Sequence, residues 1–96
     1  MNHAQETADT TMTTRRKILL VDDDEALRTT LSEQLQLHEE FLTIEAGDGA
    51  GGLHAVKDGH FDLILLDVGL PDMDGRDLCR LMRKQGVKAP IIMLTA

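Results

Sequence analysis

Asp22, Asp23 and Asp24, with Glu25 behind them, close the apolar run Ile18-Leu19-Leu20-Val21. Asp67 closes a second apolar run, Leu63–Leu66, and Thr95 a third, Ile91–Leu94. Two like charges ~4 Å apart repel by ~1 kcal/mol in water and by ~4 kcal/mol at a partly buried site. Acids gathered at the ends of buried segments must therefore point apart or share a cation. Mg²⁺ takes oxygen ligands, keeps several waters and uses one or two carboxylates together with a phosphate. Taken alone, the DDD stretch is equally an acidic turn: Asp24 stands where an N-cap belongs, and Glu25 favours the positive end of a following helix. Taken alone, Thr95 is only a hydroxyl at a strand end. The chemistry depends on whether the three run ends are neighbours.

The elements that must position these residues alternate. Lys17–Val21 is a continuous apolar run of strand length. Glu25–Leu37 carries Leu27, Leu31 and Leu35 at i, i+4 and i+8, a helical stripe. Phe41–Ala46 reads as a second strand, and Ala50–Asp58 as a short helix with Leu53 and Val56 inward, stopped by Gly59. Leu63–Leu66 is a third strand. Asp77–Gln85 is a third helix with Leu78, Leu81 and Met82 inward and Gly86 as its stop. Ile91–Leu94 is a fourth strand, with Pro90 at its start, where a strand tolerates proline. The order βαβαβαβ, with strands 1, 3 and 4 apolar on both faces, predicts a parallel sheet covered by helices on each side. Ligands of such sheets bind outside the carboxyl ends of the strands, where Asp22, Asp23, Asp67 and Thr95 fall. Gly51 and Gly52 each cost about 1 kcal/mol relative to Ala, which makes the second helix the weakest.

Composition narrows the function classes. With 96 residues, 42% hydrophobic and 28% charged, the chain is at most one globular domain. No apolar run nears the ~18 residues that span a bilayer, and the N-terminus has no apolar core of a signal peptide, so no membrane contact is expected. Cys79 is the sole cysteine, which fits a small hydrophobe on a helix and a cytoplasmic location. The net charge of −7 argues against contact with nucleic acid, since Arg15-Arg16-Lys17 is the one basic run. Met1–Thr14 is Thr-rich and aperiodic, and residues 1–16 read as a disordered tail before a domain over 17–96. His3, His38, His54 and His60 lack ligand spacing.

The stretches KILLVDDDEALR, DLILLDVGLPDMDG and PIIMLTA resemble, in order and spacing, the receiver domain of bacterial two-component response regulators. The third-helix segment GRDLCRLMRK looks most like receivers of winged-helix transcription factors of the OmpR/PhoB type. The resemblance implies a flavodoxin-like (CheY-like) sheet of order 2-1-3-4. It implies that Asp67 accepts a phosphoryl group from a phosphohistidine on a histidine kinase or phosphotransfer protein, making the chain a signalling switch rather than an enzyme. It implies Mg²⁺, with Mn²⁺ as a substitute, held by Asp23, Asp67 and the carbonyl of Gly69, with Asp22 acting through a bound water. Thr95 would bond the phosphoryl group and shift on its arrival, and Ala96 would leave room beside it. The small Gly69 would let the backbone approach the metal, while Pro71 and Gly75 shape the loop. A DNA-binding output would follow in a longer regulator.

The pattern departs from the family at its end. A complete receiver continues through a helix, a fifth strand and a last helix, and its catalytic lysine has no counterpart in this chain. A partial receiver with an apolar strand 4 at the sheet edge is expected to self-associate, by edge pairing or exchange of elements. Three rival readings stand beside this one. Gly47–Gly52, GDGAGG, matches G-x-G-x-x-G after a strand with Asp67 twenty residues on, a dinucleotide fingerprint in outline, although Asp48 has the wrong charge for a pyrophosphate. A metal-dependent phosphotransfer enzyme of another fold would want D-x-D where Asp67-Val68-Gly69 stands. A receiver-like interaction module that is never phosphorylated would have the same fold.

Overall fold

Four apolar or alternating runs too short for helices are joined by three amphipathic ones, and a parallel sheet is the arrangement that buries them all. The computed structural model describes residues 15–94. The strands are β1 (Arg16–Val21), β2 (Phe41–Ala46), β3 (Leu63–Asp67) and β4 (Ile91–Leu94); the helices are α1 (Glu25–Gln36), α2 (Gly49–Asp58) and α3 (Gly75–Lys84). All pairings are parallel and the order is β2-β1-β3-β4, as expected.

β1 begins one residue before the expected Lys17. Arg16 pairs with Phe41, and its amide donates to the Glu40 carbonyl at 2.7 Å. Of the expected tail 1–16, residues 1–14 lie outside the described residues. Alternation along β1 sends Leu19 and Val21 to one face and Ile18 and Leu20 to the other, and all four are buried. The first face meets α2 and α3: Leu19, Val21, Ile64, Leu66, Leu78 and Met82 are fully buried in one cluster with Phe61 and Leu70. Each such side chain contributes about 1.5–3 kcal/mol relative to exposure. α1 covers the other face, where the Ser32 hydroxyl bonds that of Thr43.

α1 and α3 correct the expected helix faces. Leu27 is 41% exposed and Leu81 40%, whereas Ser32 is buried. α1 packs over β1 and the sheet edge β2, so its stripe is offset toward Arg28, Leu31, Ser32 and Leu35. α3 starts at Gly75, two residues before expectation, because Asp74 caps it through the Arg76 amide. It ends through Gln85, and Gly86 takes φ +92°, a left-handed turn that favours glycine. α2 uses its glycines for close approach. A Cβ on Gly52 would lie 3.2 Å from Val21 Cγ2 and 3.4 Å from Met82 Cε, so Gly52 lets α2 sit against β1 and α3.

Candidate functional site

Register brings the acids together. Val21 pairs with Leu66, so Asp22 and Asp67 occupy the next rung of neighbouring strands. Asp23 follows in the turn into α1. Carboxylate oxygens of Asp22, Asp23 and Asp67 lie within 4.8 Å of one another, the sole such acid, histidine or cysteine cluster among the described residues. Asp22 is 5% exposed, Asp67 half-buried and Asp23 exposed. They line an acidic cleft with Asp24, Leu27, Gly69 and Leu94.

Local bonds orient the set. Asp24 is the N-cap of α1, accepting the Leu27 amide at 3.0 Å, and so takes the cap role rather than joining the cluster. Asp22 accepts the Asp24 amide at 2.9 Å, and Asp67 accepts the Gly69 amide at 3.1 Å. Burial holds the Asp22 carboxyl above the usual range, with the charges of Asp67, Asp23 and Asp24 adding to the shift and the Asp24 amide opposing it. An all-oxygen cluster with one buried member destabilised by its neighbours' charge suits a hard cation, whose charge would relieve that repulsion.

The loop after β3 is tightly closed. The Gly75 amide donates to the Val68 carbonyl at 2.8 Å, Gly69 bridges Asp74, and the Val68 amide donates to the Leu94 carbonyl at 3.2 Å. Gly75 is the sterically demanded glycine here: a Cβ would stand 2.1 Å from the Asp67 carbonyl oxygen. At Gly69, by contrast, a Cβ would meet no protein atom within 4 Å. Thr95 and Ala96 lie outside the described residues, one and two positions beyond Leu94, which pairs with Asp67.

Two residues that sequence reasoning overlooked act at a distance. Asp72 accepts the amides of Gly49 at 2.8 Å and Ala50 at 3.0 Å, tying the loop to the start of α2, while Asp48 accepts the Gly51 amide at 2.7 Å. The amides that a dinucleotide fingerprint would offer to a pyrophosphate are thus taken by two carboxylates, and Met73 fills the space beside Gly49. That rival reading fails on these contacts. Arg28 donates from Nη1 to the Asp22 carbonyl at 2.7 Å and from Nε to Glu45 at 3.1 Å. Its signal in the sequence was a cation near the N-terminus of a helix, the end where the macrodipole disfavours one.

A doubly covered parallel sheet with carboxylates gathered at the ends of its central strands is the class that fold and site define. Residues 18–96 match the model of the response regulator receiver domain, and the chain belongs to that family. It is 46% identical over 84 residues to the DNA-binding response regulator MtrA of Mycobacterium tuberculosis, covering 88% of this chain and 36% of the relative. It is 42% identical over 81 residues to the alkaline phosphatase synthesis transcriptional regulatory protein PhoP of Bacillus subtilis, covering 84% and 33%. The chain thus spans about a third of the length of these curated relatives. Among solved structures it resembles Thermotoga maritima TrrA in complex with Mg²⁺-BeF (TM-score 0.78, 36% identity, 84% of this chain and 70% of that one). It also resembles Vibrio cholerae CheY4 (TM-score 0.79, 33% identity, 83% and 68%). Among the described residues, no helix is long and apolar enough to cross a membrane.

Proposed function

We propose that the chain is the phospho-accepting receiver of a two-component phosphorelay, with Asp67 as acceptor. The observation that carries the reading is the convergence of Asp22, Asp23 and Asp67 within 4.8 Å at the carboxyl ends of β1 and β3. Asp67 is half-buried, reachable by a donor and held by the Gly69 amide. One of its oxygens attacks the phosphorus of a phosphohistidine on the kinase or phosphotransfer partner. The P–O bond forms, the P–N bond breaks, and the freed imidazole takes up a proton. Asp23, Asp67 and the Gly69 carbonyl hold Mg²⁺ (or Mn²⁺), and Asp22 acts through a bound water. When bound, the cation supplies charge neutralisation between carboxylate and phosphoryl group. Thr95 receives the phosphoryl oxygens, and Ala96 leaves the space to do so. The Thermotoga relative's complex with Mg²⁺-BeF supports the assignment of the metal.

The role is that of a cytoplasmic signalling acceptor rather than an enzyme with a diffusible substrate. Its DNA-binding output belongs to the part of the curated relatives that this chain does not span, and this segment itself leaves nucleic acid and membrane alone. The 96-residue chain self-associates, by pairing at the β4 edge or by exchange of elements. Intact mass after incubation with a small phosphodonor and Mg²⁺ tests the central claim: one phosphoryl adduct on the wild type and none on Asp67→Asn. Equal labelling of both chains, or labelling of neither, overturns it.

A further inference from the structure

We infer that Arg28 is a positioning residue of the metal site, holding the Asp22–Asp23 peptide so that both carboxylates face Asp67. The inference rests on the receiver reading and assigns it a part outside the acidic cluster. Asp22 is the first residue past the last rungs of β1, where Val21 pairs with Ala46 and Leu66. Its amide is still held by the Ala46 carbonyl at 3.1 Å. Its carbonyl points to α1, and Arg28 Nη1 donates to it at 2.7 Å. The carbonyl and the Asp23 N–H share one plane, so fixing the first sets the direction in which Asp23 leaves the strand.

The guanidinium is itself fixed. Its Nε bonds Glu45 on β2 at 3.1 Å, and the side chain is only 17% exposed. Gly47 lies against it, for a Cβ there would stand 3.3 Å from Nη1. One side chain on α1 thus joins the ends of β1 and β2. A fork with two donors in fixed geometry can do this, and an ammonium can reach one acceptor at a time. Partners that orient metal ligands change metal affinity by about 10–100-fold when removed.

Electrostatics makes the test decisive, because a cation that merely sat near the acids would repel Mg²⁺. Arg28→Ala would then tighten binding, whereas loss of a positioning bond weakens it. Mg²⁺ is titrated by calorimetry and by backbone amide shifts into the 96-residue wild type, Arg28→Ala, Arg28→Lys, Glu45→Gln and Asp67→Asn, with urea unfolding of each. The expected result is Mg²⁺ affinity about 10-fold weaker in Arg28→Ala, intermediate in Arg28→Lys and least weakened in Glu45→Gln, which keeps an acceptor for Nε. The Asp23 amide should shift in the Arg28→Lys spectrum before metal is added. Folded Arg28→Ala that binds Mg²⁺ as tightly as wild type, or more tightly, overturns the inference and leaves the receiver reading intact. If Arg28→Ala does not fold, Arg28→Lys decides on the same terms. A wild type that binds no Mg²⁺ brings down the metal site and this inference together.

Discussion

Three carboxylates share a space in which each makes the others less stable, and the most buried of them, Asp22, bears the largest consequence. Its folded pKa is raised, so the folded chain holds its proton more tightly than the unfolded one. At neutral pH its charge therefore works against folding, and that penalty is relieved as pH falls toward the raised value. Asp22→Asn keeps an oxygen for the Asp24 amide and removes the charge. It should raise the melting temperature in metal-free buffer at pH 7 while weakening Mg²⁺ binding; a lower melting temperature would count against the repulsion argument. The two glycines of the β3–α3 loop give opposite expectations. Gly75→Ala drives a Cβ into the Asp67 carbonyl and should cost at least about 3 kcal/mol, the upper end of overpacking penalties, despite alanine's better helix propensity. Gly69→Ala meets open space and should change the unfolding free energy measured in urea by less than about 0.5 kcal/mol. The cluster itself was legible, because Asp22, Asp23 and Asp67 each end an apolar run. Asp72 and Arg28 were not, because each acts outside its own segment: Asp72 on amides 22 and 23 residues away, and Arg28 on the Asp22 carbonyl before its helix and on the Glu45 carboxylate 17 residues away. No local pattern records such a bond.

At the level of elements, the strands were the most readable. β2 and β4 have the expected bounds, and β1 and β3 each extend by one residue. An apolar run with no helical period leaves few alternatives. The helices were harder, because periodicity marks a stripe without saying how far it is turned. Ser32 is buried through its bond to Thr43, a polar pairing that no count of apolar residues detects, and Leu27 is left at the rim of the acidic cleft. Gly75 reads as loop from its residue type, whereas Asp74 already caps α3 at that point. That cap and the Asp72 bridge make both helix N-termini acid-sensitive. The Asp74 carboxyl is held at about 2, chiefly by the Arg76 side chain and amide. The Asp72 carboxyl is lowered by the Gly49 and Ala50 amides. Both pKa values fall on folding, so these contacts contribute fully above about pH 4 and are lost as pH falls further, the Asp74 contacts as it nears 2. Hydrogen exchange followed down this range should show the first turns of α2 and α3 opening before the rest of each helix. Uniform loss along both helices would contradict the assignment.

The molecule as a whole is a sheet between two helical layers, with β2 and β4 at its edges. β4 pairs only with β3 among the described strands, and Ile92 on it is 50% exposed. Sedimentation of the 96-residue chain should therefore show a concentration-dependent shift to larger species, and a charge placed by Ile92→Lys should return it to monomer. A wild type that stays monomeric across the range removes the edge from consideration. Mg²⁺ should raise the melting temperature of the whole domain by mass action, by the equivalent of about 2.7 kcal/mol at a hundredfold excess over Kd, and Asp23→Asn should abolish the rise. The pairing of Val21 with Leu66 reaches further than the site it assembles. Side chains alternate along β3, so a one-codon deletion between Phe61 and Asp67 does not merely retract the acid by ~3.3 Å. It turns the acid to the opposite face and exchanges Ile64 and Leu66 for their neighbours in the core. The domain's connecting loops can thus change length, while the two strands beneath the acids behave as a ruler whose graduations cannot be moved one at a time.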